Sequence, residues 1–306
     1  MTNTLKYINL AVESWGMLFC ILAVAILLVA THIDKHLKHY FLAIFSFLFL
    51  DLFSNTGGLL FRGRSDIFGR TVLCIFNFTE YFWGDVLTLV LTLYLLYLIN
   101  RSNKKTTQIW YGIVWTIFSV SVILLIISQF TGIFYFVDIN GIYHRGQLFW
   151  LSQIIVAIGT LILDVILVIC YKNELSRAER ISFCIYVTVP IIAIIAQLFF
   201  YGIYFLLLAS TLAAVFMLGA IILDQTECYY RKEQELLQMR STIMLSQVQP
   251  HFLYNALTAI AVLCEHKPSE AKKAILAFAE YLRTNINSLN TKGTVPFETE
   301  LKHIQT

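Results

Sequence analysis

Seven apolar stretches fill most of the first 223 residues, at about 10–30, 40–60, 71–99, 108–137, 148–171, 181–200 and 203–223. Each comes close to the roughly 20 residues that an α-helix needs to cross the hydrocarbon core of a bilayer. Within that core every backbone N–H and C=O must find a partner inside the protein, so continuous apolar runs of this length fold as spanning helices. The last two runs are separated by a very short turn near Tyr201-Gly202, and counts of six and seven spans both fit. Composition agrees. The chain is 58% hydrophobic and 13% charged, against roughly 25% charged in an average soluble domain. An ordinary water-soluble protein is excluded, because the excess apolar surface must face lipid.

Charge divides the chain in two. Residues 1–223 carry 13 Lys and Arg with 10 Asp and Glu, whereas residues 224–306 carry nine of each. The first part reads as membrane and the second as a soluble, mixed-charge domain. Seven spans with this soluble tail in the cytoplasm put ten loop cations inside, among them Lys35, Lys38, Arg101, Arg177 and Arg231. Five lie outside: Lys6, Arg62, Arg64, Arg70 and Arg145. That balance follows the positive-inside rule, with the segment FRGRSDIFGR as its discordant part. A net charge of +3 is too small to suggest direct nucleic-acid binding. The six cysteines contain no CxxC pair, so neither a disulfide framework nor a zinc site is indicated.

Ionisable groups inside spans are costly and call for a reason. Glu13, Asp51, Glu80, Asp85 and Asp164 are in that position. Asp51, Glu80 and Asp85 are the candidates for an intramembrane sensor site; interhelical hydrogen bonding or a water-filled end of the bundle is the simpler reading of each. His32, Asp34, His36 and His39 offer metal-ligand types, but their place between two spans reads as a solvated loop.

From Leu223 to Cys264 the chain runs without a glycine, as a long amphipathic helix does. Leu245, Val248, Phe252, Ala256, Ala259 and Val262/Leu263 form a coiled-coil-like seam. His251 lies about 100° around the helix from Phe252 and so flanks that seam. Pro250 falls inside this expected helix, where it breaks a hydrogen bond at a cost of about 3 kcal/mol. Pro268 ends the helix before an expected N-cap at Ser269. A second helix follows, with Ile275, Phe278, Leu282, Ile286 and Leu289 on one face and Gly293 as its stop. Two helices joined so closely pack antiparallel, and a homodimeric four-helix bundle completes their burial.

The segment SQVQPHFLYNAL resembles the phosphoacceptor box of LytS-type bacterial sensor histidine kinases, and EYLRTNINSLN and VPFETELKHI extend the resemblance over residues 236–304. It implies that His251 is phosphorylated from ATP with Mg²⁺ and passes its phosphoryl group to an aspartate of a response regulator, commonly of the LytTR type. Histidine, largely neutral at cytoplasmic pH, offers the required nucleophilic nitrogen. Asn255, one helical turn further on, occupies a place where other histidine kinases orient water for dephosphorylation; a positioning hydrogen bond is the alternative. Many histidine kinases carry an acidic residue directly after the histidine, whereas here it is Phe252, so a general base must come from elsewhere. The ATP-binding domain of that family is expected beyond residue 306, since no GxGxxG or Walker-type loop occurs in the sequence.

The expectation is therefore an all-α, multi-span transmembrane bundle followed by an antiparallel helical hairpin that dimerises. Residues 1–223 form the membrane sensor, 224–244 a helical signalling linker, 245–291 the phosphotransfer hairpin, and 292–306 the start of a connection to an ATP-binding domain. Its surroundings are a bacterial cell membrane with the tail in the cytoplasm, membrane lipid, and an unidentified stimulus. The alternative is a seven-helix receptor or transporter whose tail only dimerises.

Overall fold

The computed structural model describes residues 3–30, 33–100, 104–152, 159–199, 204–247 and 250–290. The chain divides into two units, Met1–Glu227 and Cys228–Thr306. In the first, α1 (Asn3–Val29), α2 (Lys35–Phe61), α3 (Ile67–Asn100) and α4 (Lys104–Thr131) precede a small hairpin of β1 (Tyr135–Val137) and β2 (Tyr143–Arg145). Then follow α5 (Phe149–Ser152), α6 (Gly159–Cys170), α7 (Arg177–Phe199) and α8 (Phe205–Gln247), the last belonging to the first unit as far as Glu227. Among the described residues, five helical segments are long and apolar enough to cross a membrane: Thr4–Val29, Lys35–Phe61, Ile67–Asn100, Gln108–Thr131 and Phe205–Arg240. The fifth apolar stretch of the sequence falls on α5 and α6, and the sixth on α7. Residues 153–158 and the turn near Tyr201-Gly202 lie outside the described part.

Helix α2 supplies much of the core, because its apolar residues recur every three or four positions. Phe41, Ile44, Phe45, Leu48 and Leu52 are completely buried. Their neighbours are rings of α3 and α7: Phe41 meets Tyr94 edge-on at 5.2 Å, and Tyr94 stacks on Phe183 at 5.7 Å. The outer faces are equally apolar. Leu18, Ile21 and Leu22 on α1, and Ile123, Ile126 and Ile127 on α4, are exposed. In water such faces would aggregate; around a membrane bundle they meet lipid.

Two local results depart from the sequence expectation. Helix α4 stops at Thr131 instead of continuing to residue 137, because Gly132 adopts a left-handed φ of +66°. The Gly132 N–H donates to the carbonyl of Ser128 at 2.8 Å, while the Ser128 hydroxyl accepts from Phe134 N–H at 2.9 Å. The chain then forms the one sheet among the described residues, with Tyr135 opposite Arg145 and Val137 opposite Tyr143. At its tip Gly141 has φ +69°, and a Cβ there would collide with the carbonyl oxygen of Arg64. The close approach is used: the Gly63 N–H donates to the Gly141 carbonyl at 2.8 Å, tying the α2–α3 loop to the hairpin.

The two ends of the bundle are fixed by polar contacts. At the hairpin end Arg62 donates to the Tyr204 hydroxyl at 3.2 Å, and Tyr204 N–H donates to Asn9 at 3.0 Å. At the opposite end Ser176 and Glu179 form a reciprocal capping box for α7, at 3.1 and 2.8 Å. The Ser176 hydroxyl also donates to Asp224 at 3.2 Å. Helix α8 therefore enters the bundle at the hairpin end and leaves it at the other.

The second unit contains the rest of α8, then α9 (Pro250–His266) and α10 (Pro268–Asn290). Pro250 is the first residue of α9, not an interior residue. Proline suits that position because the N–H it lacks has no partner in a first turn. Pro268 likewise opens α10, so the expected cap at Ser269 moves to Lys267, whose carbonyl accepts from Glu270 and Ala271 N–H at 3.1 and 3.0 Å. The helices pack antiparallel: the Phe252 ring, early in α9, lies 6.3 Å from Phe278 and 5.2 Å from Tyr281, late in α10. The expected stop at Gly293 and the segment 292–306 lie outside the described residues, as does His32.

Candidate phosphoacceptor site

His251 occupies the first turn of α9 and its side chain is exposed. Four residues on, the Asn255 side-chain amide nitrogen lies 3.2 Å from His251 Nδ1. Positions i and i+4 are neighbours on a helix surface, and the short carboxamide arm reaches the nearer ring nitrogen only. No hydrogen bond to Nε2 is made among the described residues. Phe252, where many histidine kinases have a carboxylate, instead anchors the hairpin through Phe278 and Tyr281. Leu253, Ala256, Ile260 and Leu263 are half-buried, whereas Phe252, Ala259 and Val262 remain exposed. The single expected seam is thus two adjacent lines, one inside the hairpin and one more exposed, with Phe252 of the second line still packed against α10.

The intramembrane carboxylates converge as a group. Asp51 of α2 is buried. Its electrostatic neighbours are Glu80, Glu13 and Asp85. Asn55 donates to Glu80 at 3.3 Å, Thr56 to Glu13 at 2.7 Å, and Ser121 of α4 to Asp85 at 2.6 Å. Sequence reasoning placed Asp51, Glu80 and Asp85 together but not these polar partners, nor Glu13 as a fourth member. Arg62, one of the discordant outer arginines, faces both Glu13 and Glu80. It also lies over the Tyr143 ring at 5.7 Å. Asp164 of α6 is buried as well, and Tyr186 of α7 is an electrostatic neighbour of both Asp164 and Asp51. The histidine-rich turn has a structural use: Asp34 caps α2, accepting from His36 and Leu37 N–H at 2.9 and 3.1 Å. Among the described residues no group of three His, Cys, Asp or Glu side chains is arranged to hold a metal ion.

Comparison with known proteins bears on the tail. Residues 239–306 match the histidine kinase family, an interval that contains His251, Asn255 and both hairpin helices. Sensor protein LytS of Bacillus cereus is 35% identical over 60 residues, 20% of this chain and 10% of that protein. Sensor protein LytS of Enterococcus faecalis is 30% identical over 90 residues, 29% of this chain and 15% of that protein. Residues 239–306 are thus similar to the histidine kinase family, and part of the chain to LytS sensor proteins. The chain spans only 10 to 15% of the length of these LytS relatives, and no solved structure matches it. The matched segment begins within α8, and His251 and the hairpin follow that helix directly in the sequence.

Proposed function

We propose that this protein is a membrane sensor kinase of a two-component system, in which His251 takes the γ-phosphoryl group of ATP and passes it to an aspartate of a response regulator. The observation that carries the reading is an exposed histidine on the first turn of α9, inside the histidine kinase match, with its Nδ1 engaged by Asn255 and its Nε2 open. A phosphoryl group there is favoured by the dipole at a helix N-terminus. ATP and Mg²⁺ belong to a catalytic domain of the intact protein, and transfer depends on positioning and charge neutralisation. The regulator is of the LytTR type and the tail lies in the cytoplasm. Asn255 serves positioning, with regulator dephosphorylation as its second role.

The working form is a homodimer. Phe252, Leu257, Val262, Ile275 and Leu276 are exposed on a unit of two helices, and a second copy covers them in a four-helix bundle. The input acts on the buried carboxylates Asp51, Glu80 and Asp85: several acidic groups around one arginine shift helix packing when their charge balance changes. Full-length protein with labelled ATP and Mg²⁺ should acquire an acid-labile, base-stable phosphoryl group that is absent from His251→Gln. An acid-stable label, or one that survives this substitution, overturns the assignment.

A further inference from the structure

The contact at 3.2 Å between His251 Nδ1 and the Asn255 carboxamide can be made in two ways with opposite chemistry. The oxygen and nitrogen of an asparagine amide occupy interchangeable places, and turning the amide over leaves its outline unchanged. If the amide N–H donates to Nδ1, the ring proton sits on Nε2 and neither ring nitrogen has a free lone pair. If Oδ1 accepts from Nδ1–H, the lone pair of Nε2 points outward and can attack.

We propose that Asn255 is the positioning residue that selects the reactive tautomer of His251, its Oδ1 holding the proton on Nδ1. This deepens the reading of His251 as phosphoacceptor and rests on it. Two observations carry the assignment. Among the described residues Asn255 is the one side chain that hydrogen-bonds the His251 ring. The position directly after the histidine holds Phe252, whose ring is committed to Phe278 and Tyr281 and offers no acceptor.

In the transfer step Nε2 donates its lone pair to the γ-phosphorus of ATP and the Nε2–P bond forms. The bond from that phosphorus to the β,γ-bridging oxygen breaks, and its electron pair leaves with ADP. The ring becomes cationic, and the proton on Nδ1 stays in place, shared with Asn255 Oδ1. A neutral oxygen thereby stabilises positive charge that exists only after attack begins, so the contact is stronger in the transition state than in the ground state. Turning the amide the other way closes Nδ1, and one side chain thus sets both a competent and an idle form of the site.

The test uses the full-length protein in nanodiscs with ATP and Mg²⁺. Initial rates of acid-labile labelling are compared for wild type, Asn255→Leu and Asn255→Asp, with His251→Gln as the blank. Imidazole-¹⁵N NMR of the same samples reads the His251 tautomer. Losing a hydrogen bond to a group that becomes charged corresponds to a rate loss of roughly 10- to 100-fold. Asn255→Leu should show that loss and move the ring proton to Nε2; Leu is a strong helix former, so α9 is retained. Asn255→Asp restores an acceptor and should keep the Nδ1–H form and a rate within about tenfold of wild type. His251-dependent labelling at the wild-type rate in Asn255→Leu, or an unchanged tautomer, overturns the role of Asn255 alone. Labelling that survives His251→Gln overturns the phosphoacceptor reading and this proposal together.

Discussion

At the scale of single residues, polar side chains in this molecule hold the backbone in place at turns and helix ends. Asp138 shows how. Its carboxylate accepts from the N–H of Asn140 and Ile142 at 2.9 and 2.8 Å and meets His144 Nε2 at 3.1 Å. The Ile142 N–H, then His144 and the Asn140 N–H, hold this partly exposed carboxyl below the usual carboxylate range. Because its folded-state pKa is depressed, the support it lends is complete above the ordinary carboxylate pKa and is lost as pH falls through the lower folded value. Hydrogen exchange should show the Asn140 and Ile142 amides protected at neutral pH and freed by Asp138→Ala, with the wild type losing protection only in strong acid. Equal exchange in the two proteins at neutral pH would contradict this account.

At the scale of elements, proline and glycine decide where helices begin and end. Pro250 opens α9, so Pro250→Ala should change the opening free energy of α9 amides by less than about 1 kcal/mol. A proline inside a helix would instead give a gain of about 3 kcal/mol on replacement. Hydrogen exchange across residues 251–266 separates the two. Phe252→Asp removes the ring that α9 rests on Phe278 and Tyr281 and places a charge in its stead. It should destabilise the hairpin by about 1–3 kcal/mol, read as faster exchange in both α9 and α10. The β-hairpin was legible in principle: Asn140-Gly141 between aromatic and β-branched residues is a turn signal. It was obscured because the apolar run of residues 108–137 contains no charge before Asp138, and span length outweighed the glycine at 132.

At the scale of the whole molecule, α8 is the element common to membrane bundle and tail. It is a single helix from Phe205 to Gln247, anchored at the bundle's end by Ser176 through Asp224. A continuous helix carries rotation or tilt from one end to the other, and His251 follows shortly after it. Insertions after Glu227 should then affect kinase activity by helical phase. Seven residues turn the helix by about −20° and two by about 200°. The seven-residue insertion should preserve stimulus-dependent phosphorylation far better than the two-residue one. A smooth decline with insert length, without periodic recovery, would eliminate transmission by a rigid helix.

The apolar run lengths, the absence of glycine from Leu223 to Cys264 and the letters PHFLYN carry the helical bundle, the tail hairpin and the candidate histidine, because these follow from local composition and short-range periodicity. Their partners do not. That Arg62 faces Glu13 and Glu80, that Asp51 lies among three other carboxylates, and that Gly141 is pressed against Arg64 depend on which helices become neighbours. Helices that are apolar on every side record no preferred face in their sequence, so periodicity cannot rank their pairings. Only packing in three dimensions decides them.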